Sequence, residues 1–256
     1  MVARLSIDEA GSACGAAVWE KPWLSIVMPT LNEARNLPST LVALQPFLRR
    51  GAELVVADGG STDATAQLAR GAGAVVVATS RGRAVQMNAG AAVARGDVLL
   101  FLHADTLLPP EADVSVRQAL QPLPVMTSGS STGWRCTWGR FDVRIAGQAR
   151  MLQVIGGCMN RRSRWTGIAT GDQAMFMTRA AFDAVGGFPA QPLMEDIEMS
   201  SRLLRLARPV CLRDRVTTSG RRWEQRGVWR TMALMWRLRL AYWLGASPEW
   251  LARQYR

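Results

Sequence analysis

Residues 24–33, LSIVMPTLNE, and residues 53–63, ELVVADGGSTD, decide the fold. Each stretch begins with apolar, β-prone side chains and ends in small and polar ones. The first apolar run stops at Pro29, so it predicts a short buried strand over residues 24–28. The second run predicts a strand over residues 53–57.

The strand-then-helix pattern repeats through the first 105 residues. Leucines at three- and four-residue spacing predict a helix over residues 36–50, and Ser61 or Thr62 can cap a second helix that ends at Arg70. The remaining predicted elements are a strand at 74–78, a helix at 82–94 and a strand at 97–102. Such repeated units imply a parallel sheet covered by helices on both faces.

The rest of the chain is less regular. We predict a flexible loop at 127–133, an apolar run at 171–177, and helices at 180–185, 195–206 and 232–244, with a short one from Ser247. Three regions follow: a loose N-terminal extension at 1–22, a folded domain at 23–222, and a C-terminal amphipathic helical segment at 223–256.

Composition excludes several classes of protein. A hydrophobic share of 48% with 20% charged residues is enough to build a core, which excludes a disordered chain. The apolar runs are much shorter than the roughly 20 residues of a spanning helix. Neither a membrane span nor a signal peptide is expected, and a cytoplasmic location is predicted.

The net charge of +11 comes from the second half of the chain, almost entirely as arginine. Two interpretations stay open: genomic base composition, or a cationic face for phosphate or anionic lipid.

Other motifs are missing from the sequence. None of the four cysteines forms a CxxC pair, and His103 is the single histidine, which disfavours zinc sites and Ser-His-Asp triads. No GK[ST] follows a strand, and no GxGxxG follows the first one, which disfavours a P-loop and a nicotinamide-dinucleotide site.

Polar residues cluster where the predicted strands end, at 29–33, 58–63 and 103–105. Ligands of open α/β sheets bind at the carboxyl ends of strands, so these tips predict a site. Asp58 can accept hydrogen bonds from a ribose or base, and Asp105 can bind a divalent metal that also bridges a diphosphate. Each also has a structural interpretation, as a turn or strand-end residue.

Two further segments carry charge beside predicted helix starts. Arg81 and Arg83 can hold a diphosphate, or form a solvated basic turn. Glu195 and Asp196 can supply a general base, or simply stabilise the first turn of their helix through its dipole.

Taken in order, PTLNEARNL, VVADGGSTD, GRAVQMNAG, LLFLHADT, GDQAMF and GGFP…MEDIEMSSRL resemble family-2 inverting glycosyltransferases. The resemblance covers residues 24–222 and implies the α/β GT-A fold: a mostly parallel central sheet with flanking helices, here followed by a C-terminal helical segment. HAD in place of DxD, with GDQ and RRWEQRG, resembles a bacterial subgroup labelled arsenosugar-biosynthesis or selenodomain-associated glycosyltransferases.

The resemblance implies a role for each matching residue on the donor side. The base and ribose would contact a set of residues at the first two strand tips: Pro29, Thr30, Asn32, Glu33 and Asp58. Arg83 would face the nucleotide. Asp105 matches the metal-binding aspartate of DxD, and His103 stands where the first aspartate usually stands.

The acceptor side follows the same logic. Gly171, Asp172 and Gln173 match the segment that lines it. Asp196 matches the catalytic base, with Glu195 beside it. The QxxRW motif is not present as such, and Arg221-Arg222-Trp223 is its nearest counterpart, which argues against processive synthesis.

The expected function is therefore a metal-dependent (Mg²⁺ or Mn²⁺), inverting, hexosyl-type transfer from a nucleotide-diphospho-sugar to an acceptor hydroxyl, on a small or lipid-linked molecule. A sugar-phosphate nucleotidyltransferase and a non-catalytic sugar-nucleotide or membrane-binding module are the alternatives.

The C-terminal segment interleaves tryptophan and arginine. It predicts either a lid packed on the domain with its arginines turned outward, or a helix at the surface of an anionic membrane. Nucleic-acid binding is not expected.

Overall fold

A computed structural model describes residues 21–120 and 137–255. The elements in these ranges are β1 (Leu24–Thr30), α1 (Leu37–Arg49), β2 (Glu53–Asp58), α2 (Thr65–Gly71), β3 (Val75–Ala78), α3 (Arg83–Val93), β4 (Val98–Phe101), β5 (Thr106–Leu107), α4 (Ala112–Ala119), β6 (Trp138–Ala146), α5 (Met151–Thr166), β7 (Phe176–Thr178), α6 (Arg179–Ala184), α7 (Glu195–Leu203), β8 (Val210–Ser219), α8 (Arg221–Arg226), α9 (Val228–Trp243) and α10 (Pro248–Tyr255). The predicted loop at 127–133 and nearly all of the predicted extension at 1–22 lie outside the described residues.

The strands form one mostly parallel sheet in the order β3-β2-β1-β4-β7-β6-β8-β5. β1 to β4 pair in parallel, as the sequence predicts. β7 runs antiparallel to both β4 and β6, and β5 runs antiparallel to β8. Each antiparallel pair includes a strand from the chain beyond residue 105, where the repeat of strands and helices stops.

The prediction that Pro29 stops the first strand was wrong, because β1 continues to Thr30. The carbonyl of Val27 accepts the N–H of Leu102 just beyond β4. Pro29 lies two residues after Val27, so its backbone nitrogen points toward β4 as well. Its missing N–H therefore falls where the ladder to β4 has already ended, so the proline breaks no pairing.

The predicted cap of α2 was wrong. The helix begins at Thr65, and neither Ser61 nor Thr62 caps it. The Ser61 hydroxyl instead donates to Asp58 and accepts the N–H of Asn32, while Asp63 accepts the N–H of Thr65 at 3.0 Å. The DGGSTD turn thus uses its side chains to join loops before the helix starts.

The sheet is covered on both faces. Alternate strand residues such as Ile26 and Leu100 pack with α1, α4 and α5, whereas Val27 and Leu99 pack with α3, α6 and α7. Helices on the two faces therefore hold the strand tips in fixed relative positions.

The C-terminal helices α9 and α10 pack on the domain through a small cluster formed by Met194, Leu238 and Leu251. The packed-lid interpretation is thus right for this face of α9. The predicted boundary after residue 222 falls inside α8. None of the helices in the described ranges is long and apolar enough to cross a membrane.

Candidate active site

A cleft opens at the carboxyl edge of β1 and β4. Residues from both halves of the chain line it, including Pro29, Arg83, His103, Gly171, Glu195 and Asp196. All six were singled out from the sequence. The fold therefore brings the HAD, GDQ and MED segments to one place.

The loops after β1 and β2 are tied together by hydrogen bonds. Asn32 donates its N–H to the Ser61 hydroxyl, and its side-chain oxygen accepts the N–H of Thr62, both at 2.9 Å. Glu33 donates its N–H to Thr65 and holds the Asn36 amide with its carboxylate. In the structure Asn32 and Glu33 therefore hold the loops after β1 and β2 together, and neither is among the described residues that line the cleft.

Asp58 organises the tip of β2. Its carboxylate accepts the Ser61 N–H at 2.9 Å, the Gly60 N–H at 3.3 Å and the Thr30 hydroxyl at 3.3 Å. A carboxylate with these partners is fixed in orientation at the end of a buried strand. Thr30 and Asp58 thus lie together at the edge, as the sequence predicts.

Gln86 on α3 is an organiser that the sequence argument missed. Its buried amide donates to the carbonyls of Thr30 at 2.7 Å and Ala57 at 2.9 Å, so it ties β1 to β2 where both end. A β-carbon on Gly59 would lie 3.0 Å from this amide. A polar side chain on the otherwise apolar inner face of α3 was the available signal.

His103 is buried against the GDQ segment. A β-carbon built on Gly171 would lie 2.4 Å from its Nε2, and that nitrogen has no hydrogen-bond partner among the described residues. Burial lowers the pKa of His103 well below its usual value, and the positive charges of Arg83 and Arg222 lower it further. The imidazole is therefore neutral at pH 7.

Two carboxylates and two arginines near the cleft influence one another's pKa values, and Arg83 is the one of the four that lines the cleft. Burial raises the pKa of Asp172, and the negative charge of Asp105 adds to this, while Arg83 and Arg222 oppose it. Burial lowers the pKa of Arg222, and the charge of Arg83 lowers it further, while Asp172 and Asp105 oppose this. This mixture of oxygen ligands and cations suits a diphosphate with a bound cation.

Glu195 and Asp196 begin α7 at the opposite wall. Asp196 accepts the N–H of Gly171 on Oδ2 and that of Ile197 on Oδ1, each at 2.8 Å. Burial and the Asp196 charge raise the pKa of Glu195, although Arg83 Nη1 lies 3.6 Å from its Oε1. The backbone therefore fixes the Asp196 carboxylate in the cleft.

Left-handed backbone concentrates at this site. Among the described residues, the non-glycine positions with positive φ are Asn32 (54°), Ala174 (45°) and Met194 (65°). They lie in the first loop, directly after GDQ and directly before Glu195. Such backbone conformations are unfavourable and persist only where the surrounding structure enforces them, and they cluster at functional sites.

The C-terminal half adds arginines that the sequence argument did not assign. Burial lowers the pKa of Arg222 on α8, Arg162 on α5 and Arg239 on α9. The charge of Asp105 opposes this at Arg222, and the charge of Asp196 opposes it at Arg162 and Arg239. The interpretation in which the C-terminal arginines turn outward agrees with Arg222, which is exposed and lies 4.9 Å from the centre of the Tyr255 ring, whereas Arg239 is half-buried. Helical spacing alone does not show which face of α9 meets a cleft built from other elements.

Within the described ranges, no three histidine, cysteine or acidic side chains lie close enough to form a metal centre by themselves. Asp105 with Asp172 nearby instead fits a cation that takes its remaining ligands from a substrate's phosphates and water.

Comparison with known proteins agrees with this geometry. The model of Glycosyl transferase family 2 matches residues 25–181. This chain belongs to glycosyltransferase family 2. The match begins within β1 and ends within α6, so it covers the strand tips and the GDQ segment of the cleft but not Glu195 and Asp196.

Curated relatives are similar to part of this chain. The undecaprenyl-phosphate 4-deoxy-4-formamido-L-arabinose transferase of Pseudomonas paraeruginosa is 31% identical over 158 residues, which is 55% of this chain and 47% of the relative. A PGL/p-HBAD biosynthesis glycosyltransferase of Mycobacterium tuberculosis is 40% identical over 105 residues, 38% of this chain and 41% of the relative. The chain spans less than half the length of these curated relatives.

Solved structures share the GT-A fold at low identity. The Pyrobaculum calidifontis mannosyltransferase PcManGT, in complex with GDP-Man and Mn²⁺, has a TM-score of 0.59 at 20% identity, over 87% of this chain and 61% of that one. S. aureus TarS with UDP-GlcNAc has a TM-score of 0.58 at 17% identity, over 77% and 58%. M. tuberculosis glucosyl-3-phosphoglycerate synthase, with Mn²⁺, UDP and phosphoglyceric acid, has a TM-score of 0.53 at 19% identity, over 77% and 69%.

Proposed function

We propose that this family-2 protein is a metal-dependent, inverting, hexosyl-type glycosyltransferase that takes its sugar from a nucleoside-diphosphate donor. The observation that carries the proposal is the backbone-held Asp196 carboxylate, which shares a cleft with the acidic and cationic groups around Asp105. Neighbours of this fold were solved with GDP-Man or UDP-GlcNAc, which supports a donor of this class.

The donor side is built for a diphosphate. The charges of Arg83 on α3 and Arg222 on α8 both lower the pKa of Asp172, and the charge of Asp105 influences the pKa of Asp172 and of Arg222. The two carboxylates would hold Mg²⁺ or Mn²⁺. When bound, that cation neutralises charge on the departing nucleoside diphosphate. The arginines add charge-assisted hydrogen bonds to the same oxygens.

The acceptor side is built for proton removal. Each Asp196 oxygen accepts one backbone N–H and keeps a second lone pair. One of these takes the proton of the acceptor hydroxyl as its oxygen bonds to the anomeric carbon. The bond from that carbon to the diphosphate oxygen breaks on the opposite face, so the configuration inverts without a covalent enzyme intermediate.

The alternatives make different demands. A sugar-phosphate nucleotidyltransferase is expected to have a glycine-rich basic loop after its first strand, whereas residues 31–36 here are LNEARN. A non-catalytic module would not need the fixed Asp196 carboxylate. The cytoplasmic location and the subgroup suggested by HAD and RRWEQRG stay predictions.

The test is release of nucleoside diphosphate from UDP-, GDP- and TDP-sugars in the presence of lipid extract or small-molecule acceptors. Wild-type protein is expected to release diphosphate from one donor class, and Asp196→Asn is not. Release of pyrophosphate from a nucleoside triphosphate and sugar phosphate would identify the nucleotidyltransferase. Turnover of no donor would support the binding module.

We also propose that α9 contacts an anionic membrane. Trp229, Trp236 and Trp243 are seven residues apart, so they line one face of the helix, and they are 64%, 72% and 81% exposed. Arg230 and Arg237 lie beside this stripe in a groove between α9 and α10. Tryptophans at headgroup depth with flanking arginines suit an interface with anionic lipid.

The membrane proposal is tested by sedimentation with vesicles of phosphatidylglycerol and phosphatidylcholine. Wild-type protein is expected to sediment with the anionic vesicles, and the triple variant Trp229→Ser, Trp236→Ser, Trp243→Ser is not. Trp165→Ser is the control, since Trp165 is 75% exposed on α5. Equal sedimentation of wild type and triple variant would overturn the proposal.

A further inference from the structure

Three arginines line a groove that α8, α9 and α10 enclose. The groove has a volume of about 680 Å³, which lies within the usual range of a ligand site. The arginines are Arg226, Arg230 and Arg237, and no acidic side chain among the described residues lines the groove with them. None of the three belongs to an ion pair in the part of the chain that the structure describes. A concave surface of uncompensated positive charge favours a bound anion.

The walls of the groove are held together by contacts of their own. Leu238 on α9 and Leu251 on α10 are fully buried in one cluster. Arg226 Nη1 donates to the backbone carbonyl of Tyr255 at 3.2 Å, which ties α8 to α10. A ligand therefore meets a preformed site, and its binding needs no rearrangement of the helices.

Thr231 is the buried polar residue among those that line the groove. It is 4% exposed, and its hydroxyl has no hydrogen-bond partner among the described residues. A helical threonine can donate to the carbonyl four residues earlier, but here the backbone N–H of Thr231 bonds the carbonyl of Gly227 and the hydroxyl does not. Because buried hydroxyls normally have a partner, this one points to a ligand that accepts its hydrogen bond.

We propose that the groove binds the phosphate headgroup of an anionic lipid and prefers a phosphomonoester. A phosphomonoester carries about −1.5 to −2 charge at pH 7 and offers three acceptor oxygens, whereas a phosphodiester carries a single charge. Arginine forms paired, charge-assisted hydrogen bonds with such oxygens. Three arginines without an acidic neighbour therefore match the more highly charged headgroup.

The lipid source of the phosphate rests on the membrane contact proposed for α9. Trp229 directly precedes Arg230, and Trp236 directly precedes Arg237, so the exposed tryptophans and the groove arginines occupy adjacent faces of one helix. With the tryptophans at the boundary between headgroups and acyl chains, a headgroup lies at the level of the arginines. The groove thus adds a discrete headgroup site to a surface that would otherwise attract anionic lipid through charge alone.

The first experiment measures calorimetric binding of dihexanoyl phosphatidic acid to the full chain, below the critical micelle concentration of the lipid. The double variant Arg230→Gln, Arg237→Gln is expected to bind about tenfold more weakly or worse than wild type, since hydrogen bonds to charged groups are lost. The control variant Arg161→Gln, Arg253→Gln removes the same charge from exposed positions outside the groove and should bind as wild type does. Equal binding by the two double variants would overturn the proposal.

Thr231→Val separates a ligand site from an ordinary buried hydroxyl. We expect weaker binding of the soluble lipid by about fivefold, with no loss of thermal stability, because the hydroxyl has no partner to lose within the described residues. Wild-type affinity in this variant would contradict the assignment of Thr231 to the site.

Two further ligands test the chemistry of the headgroup and its source. Dihexanoyl phosphatidylglycerol, a phosphodiester, and glycerol 3-phosphate, which lacks acyl chains, should each bind more weakly than dihexanoyl phosphatidic acid. Equal binding of phosphatidylglycerol would overturn the phosphomonoester preference, and equal binding of glycerol 3-phosphate would overturn the lipid source. Loss of binding in Arg83→Gln but not in the groove variant would place the phosphate in the cleft instead.

Sedimentation with vesicles of phosphatidic acid and phosphatidylcholine distinguishes failure of the groove from failure of the membrane contact. The triple tryptophan variant is expected to lose vesicle binding and still to prefer soluble phosphatidic acid over phosphatidylglycerol. Binding of the soluble lipid by wild-type protein that does not sediment with vesicles would remove the membrane contact and support the groove. Equal sedimentation of wild type and the groove double variant, with equal binding of the soluble lipid, would keep the membrane contact and overturn the groove.

Discussion

The N–H of Gly171 donates to Asp196 Oδ2 at 2.8 Å, which joins the GDQ segment to the first turn of α7. The other oxygen of Asp196 accepts the N–H of Ile197. Neither contact uses a side chain as donor. The orientation of the proposed base therefore depends on the backbone, and any side chain placed at 196 must satisfy two donors.

Asp196→Asn is expected to reduce transfer about a hundredfold or more, since general-base catalysis contributes that much. Donor binding should persist, because the donor-side arginines are untouched. An asparagine can accept only one of the two N–H groups, so we also expect a loss of about 1–3 kcal/mol in stability. Nucleoside diphosphate release and denaturant unfolding measure the two effects.

The control for this variant is Asp214→Asn, an exposed carboxylate on β8. It should match wild-type protein in both measurements. Transfer by Asp196→Asn at the wild-type rate would show that Asp196 is not the base.

Gly171→Ala is expected to distort the cleft. The added methyl would lie 2.4 Å from His103 Nε2, so the buried imidazole or the GDQ backbone must move. Overpacking of this kind costs about 1–3 kcal/mol, and activity should fall because Gly171 also holds Asp196. Denaturant unfolding and diphosphate release test both expectations.

Gly157→Ala is a matched change in open space. A β-carbon there meets nothing within 4 Å on α5, so it should stabilise the helix by about 0.5–1 kcal/mol without loss of activity. Equal stability and activity of the two alanine variants would show that close contact with His103 does not restrict position 171 to glycine.

Glu195→Gln is expected to be more stable than wild type at neutral pH. The raised pKa of Glu195 means that the folded protein holds its proton to higher pH than the unfolded chain does. Wild-type stability therefore falls, relative to the glutamine variant, as pH rises above the usual glutamate pKa of about 4.3, by at most about 1.4 kcal/mol per pH unit. Urea unfolding at pH 4.5 and 7.5 measures the difference, and a relative gain by wild type at the higher pH would contradict it.

Strand tips were the most predictable part of the site. Apolar runs followed by polar residues correctly indicated β1, β2 and β4, and parallel pairing then places Asp58 and His103 at one edge. The carboxyl-edge rule needs no knowledge of the other half of the chain. This part of the cleft follows from local pattern alone.

Contacts between distant elements were not predictable in this way. Gln86 looked like an ordinary helix residue, although it spans the ends of two strands. Arg239 looked like a solvated charge on α9, but the packing of Leu238 and Met194 turns that helix toward Asp196. The direction of a side chain on an added helix depends on how that helix docks, and its own sequence does not carry this information.

The most direct test of a metal-dependent glycosyltransferase is thermal unfolding with UDP, GDP, TDP and CMP, each with and without Mn²⁺ or Mg²⁺. A ligand at a hundred times its Kd stabilises a protein by about 2.7 kcal/mol. We predict a rise in Tm for one nucleoside diphosphate that requires the metal, is lost in Asp105→Ala and is kept in Asp214→Ala. No rise with any nucleotide, or a rise that Asp105→Ala leaves unchanged, would contradict the account.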